Sequence, residues 1–103
     1  MSTRQEVYAA VDSERAYQQD MAAKAHGDPS NDYTKSLENF ALYIASYSNE
    51  LTDQLSRTWG PDAYRQPLGT VRKIAALAVA AMEVHGAYNR VTAMKHKDGV
   101  DLT

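Results

Sequence analysis

The chain has 103 residues, 44% of them hydrophobic and 23% charged, which fits one globular domain with a modest core. Its net charge of −2 argues against general nucleic-acid binding, which needs a broad cationic footprint. It has no cysteine, which excludes disulfides, thiol nucleophiles and thiolate metal sites, and no run approaches the ~18 apolar residues of a membrane span.

The opening residues Met-Ser-Thr-Arg-Gln-Glu hold no apolar stretch of the kind a secretory signal needs, so a cytoplasmic protein is expected. The pattern along the chain predicts an all-α fold: a bundle of three long helices over residues 1–90, then a flexible tail over 91–103.

The first helix is expected to start at a capping box. Thr3 caps the backbone while Glu6, three residues on, reaches back to it. The helix runs without Gly or Pro to His26, with Gly27 as its stop and Pro29 beyond. Val7, Ala10, Val11, Tyr17, Met21 and Ala25 recur at helical spacing and form the expected core row. Glu14 and Gln18 interrupt that row on the same face. Either they sit at its edge or they line a polar site inside the bundle.

Residues 27–34 are rich in turn formers and predict a loop. The second helix is expected from Lys35 to Arg57, capped by Thr34, with a core row of Leu37, Phe40, Ile44, Tyr47 or Ser48, Leu51 and Leu55. Trp59 to Pro67, with Gly60 and Pro61, reads as the second connection. The third helix is expected from Leu68 to His85, ended by Gly86. Between Ile74 and Met82 it is apolar nearly all round, with alanine at 75, 76, 78, 80 and 81. Such a helix is covered on several sides, and its small residues admit close neighbours. Three rods of roughly 30 Å make a thin bundle, so a homo-oligomer is expected to complete the core.

Two features are less ordinary, and for the first the alternatives are a binding surface or rings that cover the edge of the bundle. Seven tyrosines stand against one phenylalanine and one tryptophan, and tyrosine joins a stacking face to a polar tip. Tyr43 and Tyr47, four apart, share a helix face. The second feature is Arg72-Lys73, a basic pair early in an otherwise apolar helix. It points to solvent, to an anionic ligand, or to a carboxylate of another helix. Lys24 and Arg90 are further cations near helix ends. No phosphate loop, zinc-protease motif or nucleophile elbow is present, and His26, His85 and His96 are too scattered to read as a metal set.

Three segments carry a family resemblance. Glu14-Arg15-Ala16-Tyr17-Gln18 resembles the E-R-x-x-Q opening helix of MazG-like nucleotide pyrophosphohydrolases, above all the short forms found in bacteriophages. Leu37 to Ile44 resembles their second helix, and Val71 to Ala87 a phage form of their last core helix. The resemblance spans about residues 10–90. It implies an all-α fold, dimers or tetramers, and Mg²⁺-dependent hydrolysis of nucleoside triphosphates. That chemistry uses E-x-x-E on the second helix and E-x-x-D on the next, because i, i+3 spacing gathers carboxylates on one face for a hard cation. Here the second helix offers Tyr47 and Glu50, and the third offers Thr70 and Lys73.

A lysine at a ligand position repels a metal and can itself neutralise a phosphate. The leading expectation is therefore a non-catalytic nucleotide binder without a metal cofactor. By analogy it is similar to phage sponges that sequester cyclic oligonucleotide or ADP-ribose-type immune signals in the host cytoplasm. The expected ligand residues are Glu14, Tyr17, Gln18, Lys24, Tyr43, Tyr47, Arg72, Lys73 and Arg90. Two alternatives stand beside it: an altered hydrolase drawing Mg²⁺ to Glu50, Asp53 and Glu14, or a structural module that uses the apolar third helix as its interface.

Overall fold

A computed structural model describes residues 1–26 and 35–91, the side chains of residues 25 and 26 excepted. The expected loop over 27–34, with its Gly27 stop and Thr34, and the expected tail beyond Val91 lie outside the described residues. The chain is all-α, with α1 over Arg4–His26, α2 over Leu37–Arg57 and α3 over Arg65–His85. No helix among the described residues is long and apolar enough to cross a membrane.

The capping box forms as expected. The Thr3 N–H donates to Glu6 Oε1 at 3.1 Å, and the Glu6 N–H donates to Thr3 Oγ1 at 3.1 Å. The other two starts differ from the sequence pattern. Ser36, in extended backbone, caps α2 by accepting the Asn39 N–H, so the helix begins at Leu37 rather than Lys35. Helix α3 begins three residues before Leu68, and Pro67 sits in its first turn. There the missing N–H has no intrahelical partner to lose, so proline opens the helix instead of delaying it. Gly86 ends α3 at φ 126°, donating its N–H to Met82 O. The positive φ favours glycine here, and a Cβ would also sit 3.0 Å from the exposed Tyr88 ring, which would have to shift.

Helix α3 is the centre. It packs against α1 and against α2, while no Cα of α1 comes within 8 Å of one of α2. Residues 73–81 of α3 are all buried or half-buried, as an apolar helix with neighbours on two sides must be. Among the described residues Phe40 is the only large side chain buried completely. It packs on Ala80 and Ala81, flanked by Leu77 and Val84. Its burial contributes roughly 1.5–3 kcal/mol, and the alanine methyls let α2 approach closely enough to secure it.

The two outer helices attach differently. On α2 the inward stripe is Phe40 and Gln54, both buried, with Ile44, Tyr47 and Leu51 half-buried; Leu37 and Leu55 of the expected row are exposed. On α1 the expected row is turned outward. Val7, Ala10, Tyr17 and Met21 are exposed and Val11 is half-buried, while Glu14 and Arg15 are buried at 7% exposure each. The reason lies on α3, which presents Arg72 and Glu83 to α1. Opposite charges on α1 therefore face inward in place of the apolar positions.

Glu6 supplies a test of the first cap. Its hydrogen bonds to the Thr3 backbone and side chain hold its pKa below the ordinary glutamate value. A lowered folded-state pKa contributes stability above the unfolded pKa and loses it as pH falls through the folded one. An NMR titration should therefore find the Glu6 midpoint below that of an unstructured glutamate, with first-turn amide protection fading only below that range. A midpoint at the ordinary value would mean the box is open in solution.

Candidate functional site

Because α1 and α2 meet α3 but not each other, an open groove of about 410 Å³ lies between them. Helix α1 provides one wall with Glu14, Tyr17, Gln18, Met21 and Ala22. Lys35, Tyr43 and Tyr47 form the other, and Lys73 and Leu77 of α3 make the floor. That volume is in the range of small-molecule sites.

The structure brings six of the expected ligand residues into this groove: Glu14, Tyr17, Gln18, Tyr43, Tyr47 and Lys73. The other three do not line it. Lys24 is paired with Asp20 on its own helix at 3.1 Å. Arg90 lies beyond Gly86, outside α3. Arg72 turns toward α1, where its Nε meets Glu14 Oε1 at 2.8 Å; it is the carboxylate of another helix that satisfies it. Lys35 belongs to the groove but precedes the cap of α2, so no helical spacing connects it to Tyr43. Met21 and Leu77, read as core, form the apolar part of the lining.

Cations sit over aromatic rings. Lys73 Nζ is 5.7 Å from the centre of the Tyr47 ring. Lys35 Nζ is 5.3 Å from that of Tyr43 and 5.9 Å from that of Phe40. Such contacts contribute about 0.5–1 kcal/mol at accessible sites and fix the ammonium in place. Among the described residues Lys73 has no carboxylate partner. Its positive charge, half-buried on α3, is answered only by the face of a ring.

The walls are tied to the floor by polar contacts. Arg15 Nε donates to Glu83 Oε1 at 2.6 Å, and Gln18 Nε2 to the Lys73 carbonyl at 3.4 Å. Along the α2–α3 seam, buried Thr70 donates to Gln54 Oε1 at 2.8 Å, and Gln54 Nε2 donates to Glu50 Oε1 at 3.3 Å. The backbone carbonyl of Gln54 also accepts the Thr58 hydroxyl. At the far end His85 Nε2 bonds the Lys35 carbonyl at 2.9 Å while its ring meets Phe40 edge-on.

Among the described residues no three His, Cys, Asp or Glu side chains gather to hold a metal ion. Glu14 is engaged by Arg72, Asp53 by Arg57 and Glu50 by Gln54. At Tyr47, Glu50, Thr70 and Lys73 the donors are one carboxylate, two hydroxyls and an ammonium. That set offers Mg²⁺ a single carboxylate, already bonded to Gln54, beside an ammonium that repels a cation, and so fits the ion poorly.

Comparison with protein-family models, with curated proteins and with solved structures finds no match to this chain.

The Glu14–Arg72 pair gives the second test. Glu14 is 7% exposed, and Arg72 is 45% exposed at the side chain. Arg72→Ala should cost about 1–2 kcal/mol in urea unfolding, less than a fully buried pair because half of it is solvated. Adding Glu14→Gln to that variant should restore most of the loss. A double variant as unstable as the single one would show that Arg72 acts by packing, not charge.

Proposed function

We propose that the chain is a non-catalytic nucleotide-binding protein built on the MazG-like helical plan, and that the α1–α2 groove holds the nucleotide. The observation that carries the reading is Lys73: a half-buried ammonium fixed over Tyr47, without a carboxylate partner among the described residues, in a groove lined by two more tyrosines. An anion answers the charge. Aromatic stacking with a base contributes about 1–3 kcal/mol in single-strand binders, and a charge-assisted bond to phosphate adds to it.

The position of Lys73 also favours binding over hydrolysis. Along the α2–α3 seam it stands where the family resemblance implies a metal-binding acid. A site that holds phosphate with an ammonium needs no Mg²⁺ to bind. On this reading a cytoplasmic sponge, keeping a signalling nucleotide intact, is the role, and a phage is the source that the resemblance implies.

The test is a thermal-shift panel. It compares nucleoside triphosphates with Mg²⁺ against cyclic oligonucleotides and ADP-ribose isomers without metal. A ligand at about 100 times its Kd stabilises the fold by roughly 2.7 kcal/mol, several degrees for a domain of this size. The expected result is a shift without metal, lost in Lys73→Ala and reduced in Tyr47→Ala, with the ligand recovered unchanged. A shift only with triphosphate and Mg²⁺, with turnover, would replace this reading with the hydrolase.

Self-association belongs to the same proposal. Between α1 and α3, on the other side from the nucleotide groove, a second groove of about 400 Å³ is lined by Val7, Val11, Leu68 and Val71, with Leu68 61% exposed. Glu6 and Arg65 lie in the same lining. Opposite charges in one lining make an apolar face that can complement itself about a two-fold axis, so the occupant that matches it is a second copy of the chain. Sedimentation should find a dimer or larger species that Leu68→Asp converts to monomer. A wild-type monomer at high micromolar concentration would remove this part of the reading.

A further inference from the structure

The two sides of the groove differ in chemistry. Its floor and α2 wall carry the cations Lys73 and Lys35 with the rings of Tyr47 and Tyr43. The α1 wall carries acceptors. Glu14 is a carboxylate, and Gln18, four residues on, uses its Nε2 on the Lys73 carbonyl and keeps Oε1 for another partner. A carboxylate in a phosphate-binding groove repels the phosphate, so it needs a different part of the ligand.

Resting on the nucleotide reading of the groove, we infer that Glu14 reads the base and that the base it selects is guanine. Glu14 is held for this task. Arg72 grips Oε1 through Nε, and among the described residues no other hydrogen bond reaches the carboxylate. An ionised carboxylate accepts at about four lone-pair sites, so about three remain. Its burial keeps it in one position, and Arg72 supports its charge without filling the groove.

The base edges decide the rest. Guanine places two N–H donors side by side, at N1 and N2, and they match the two oxygens of one carboxylate. Adenine sets its amino group beside ring acceptors at N1 and N7. Cytosine sets its amino group beside the N3 acceptor, and uracil flanks its single N–H with two carbonyls. Each of those three brings a lone pair against Glu14. Amidinium and guanidinium ligands also carry paired donors, but they are cations and meet Lys73 and Lys35. An anionic ligand with paired neutral donors and a stacking ring is a guanine nucleotide. A two-pronged contact of this type discriminates by about 1–3 kcal/mol, roughly 5- to 150-fold.

Calorimetric titration of the full chain with guanosine, inosine and adenosine 5′-monophosphates, and with cyclic di-GMP and cyclic di-AMP, tests this directly. Inosine lacks only the N2 amino group. The expected order is guanosine over inosine by about tenfold or more, and inosine over adenosine, in wild-type protein. Because the comparison changes the ligand, it needs no variant to fold. Glu14→Gln, checked for helix content by circular dichroism, should narrow the guanosine preference while phosphate binding through Lys73 persists. Equal affinity for guanosine and adenosine ligands, still abolished by Lys73→Ala, would overturn the role of Glu14 and leave the groove a nucleotide site. No binding of any nucleotide would overturn both.

Discussion

The molecule depends on the charge pairing between α1 and α3. Glu14 meets Arg72 and the next residue, Arg15, meets Glu83, so two neighbouring positions of opposite sign hold two points of α3 that are 11 residues apart. Eleven residues are close to three full helical turns, so Arg72 and Glu83 share one face of α3. This pairing fixes the side of α1 that turns inward and leaves its apolar residues for other partners. It also brings Glu14 and Gln18 into the groove, because they share the face that the pairing selects.

The α2–α3 contact follows a different rule. Alanines at 76, 80 and 81 make one surface of α3 nearly smooth, and Phe40 settles on it. Away from Phe40 the same seam turns polar, with Thr70, Gln54 and Glu50 in a hydrogen-bonded row. Buried Thr70 and Gln54 demand one register, because a slip by one residue leaves both unsatisfied. Register in turn places Tyr47 beneath Lys73. The apolar end of the seam thus supplies stability and its polar end positions the groove.

Much of this was legible in the sequence. The three helices, the Thr3–Glu6 box, the Gly86 stop and the central place of the alanine helix follow from local rules that act within a few residues. The groove was legible in part. Tyr43 and Tyr47 share a face by helical spacing, and Glu14 and Gln18 break an apolar row where a soluble face would not need them to. Long-range pairing was hidden. No spacing within α1 indicates that Arg72 and Glu83 lie opposite, so periodicity alone turns the apolar row inward although ionic partners claim that side. The start of α3 lies ahead of Leu68 because proline opens a helix as readily as it ends one. Lys35 reads in the sequence as the first residue of the second helix with nothing to mark it for a site; the cap at Ser36 leaves it ahead of the helix, where it reaches the Tyr43 ring.

One consequence comes from the gap between α1 and α2. The outer helices share a support, and no Cα of one comes within 8 Å of the other, so among the described residues α3 is the brace common to both. Any molecule that fills the groove touches both and becomes a strut between them. Its binding energy then divides between its own contacts and the stiffening of two helices that lack any other cross-brace within the described residues. By reciprocity, whatever draws the helices together improves the fit of the occupant. With the groove filled, rigidity across it would be a property of the complex, with α3 as the spine that both outer helices share.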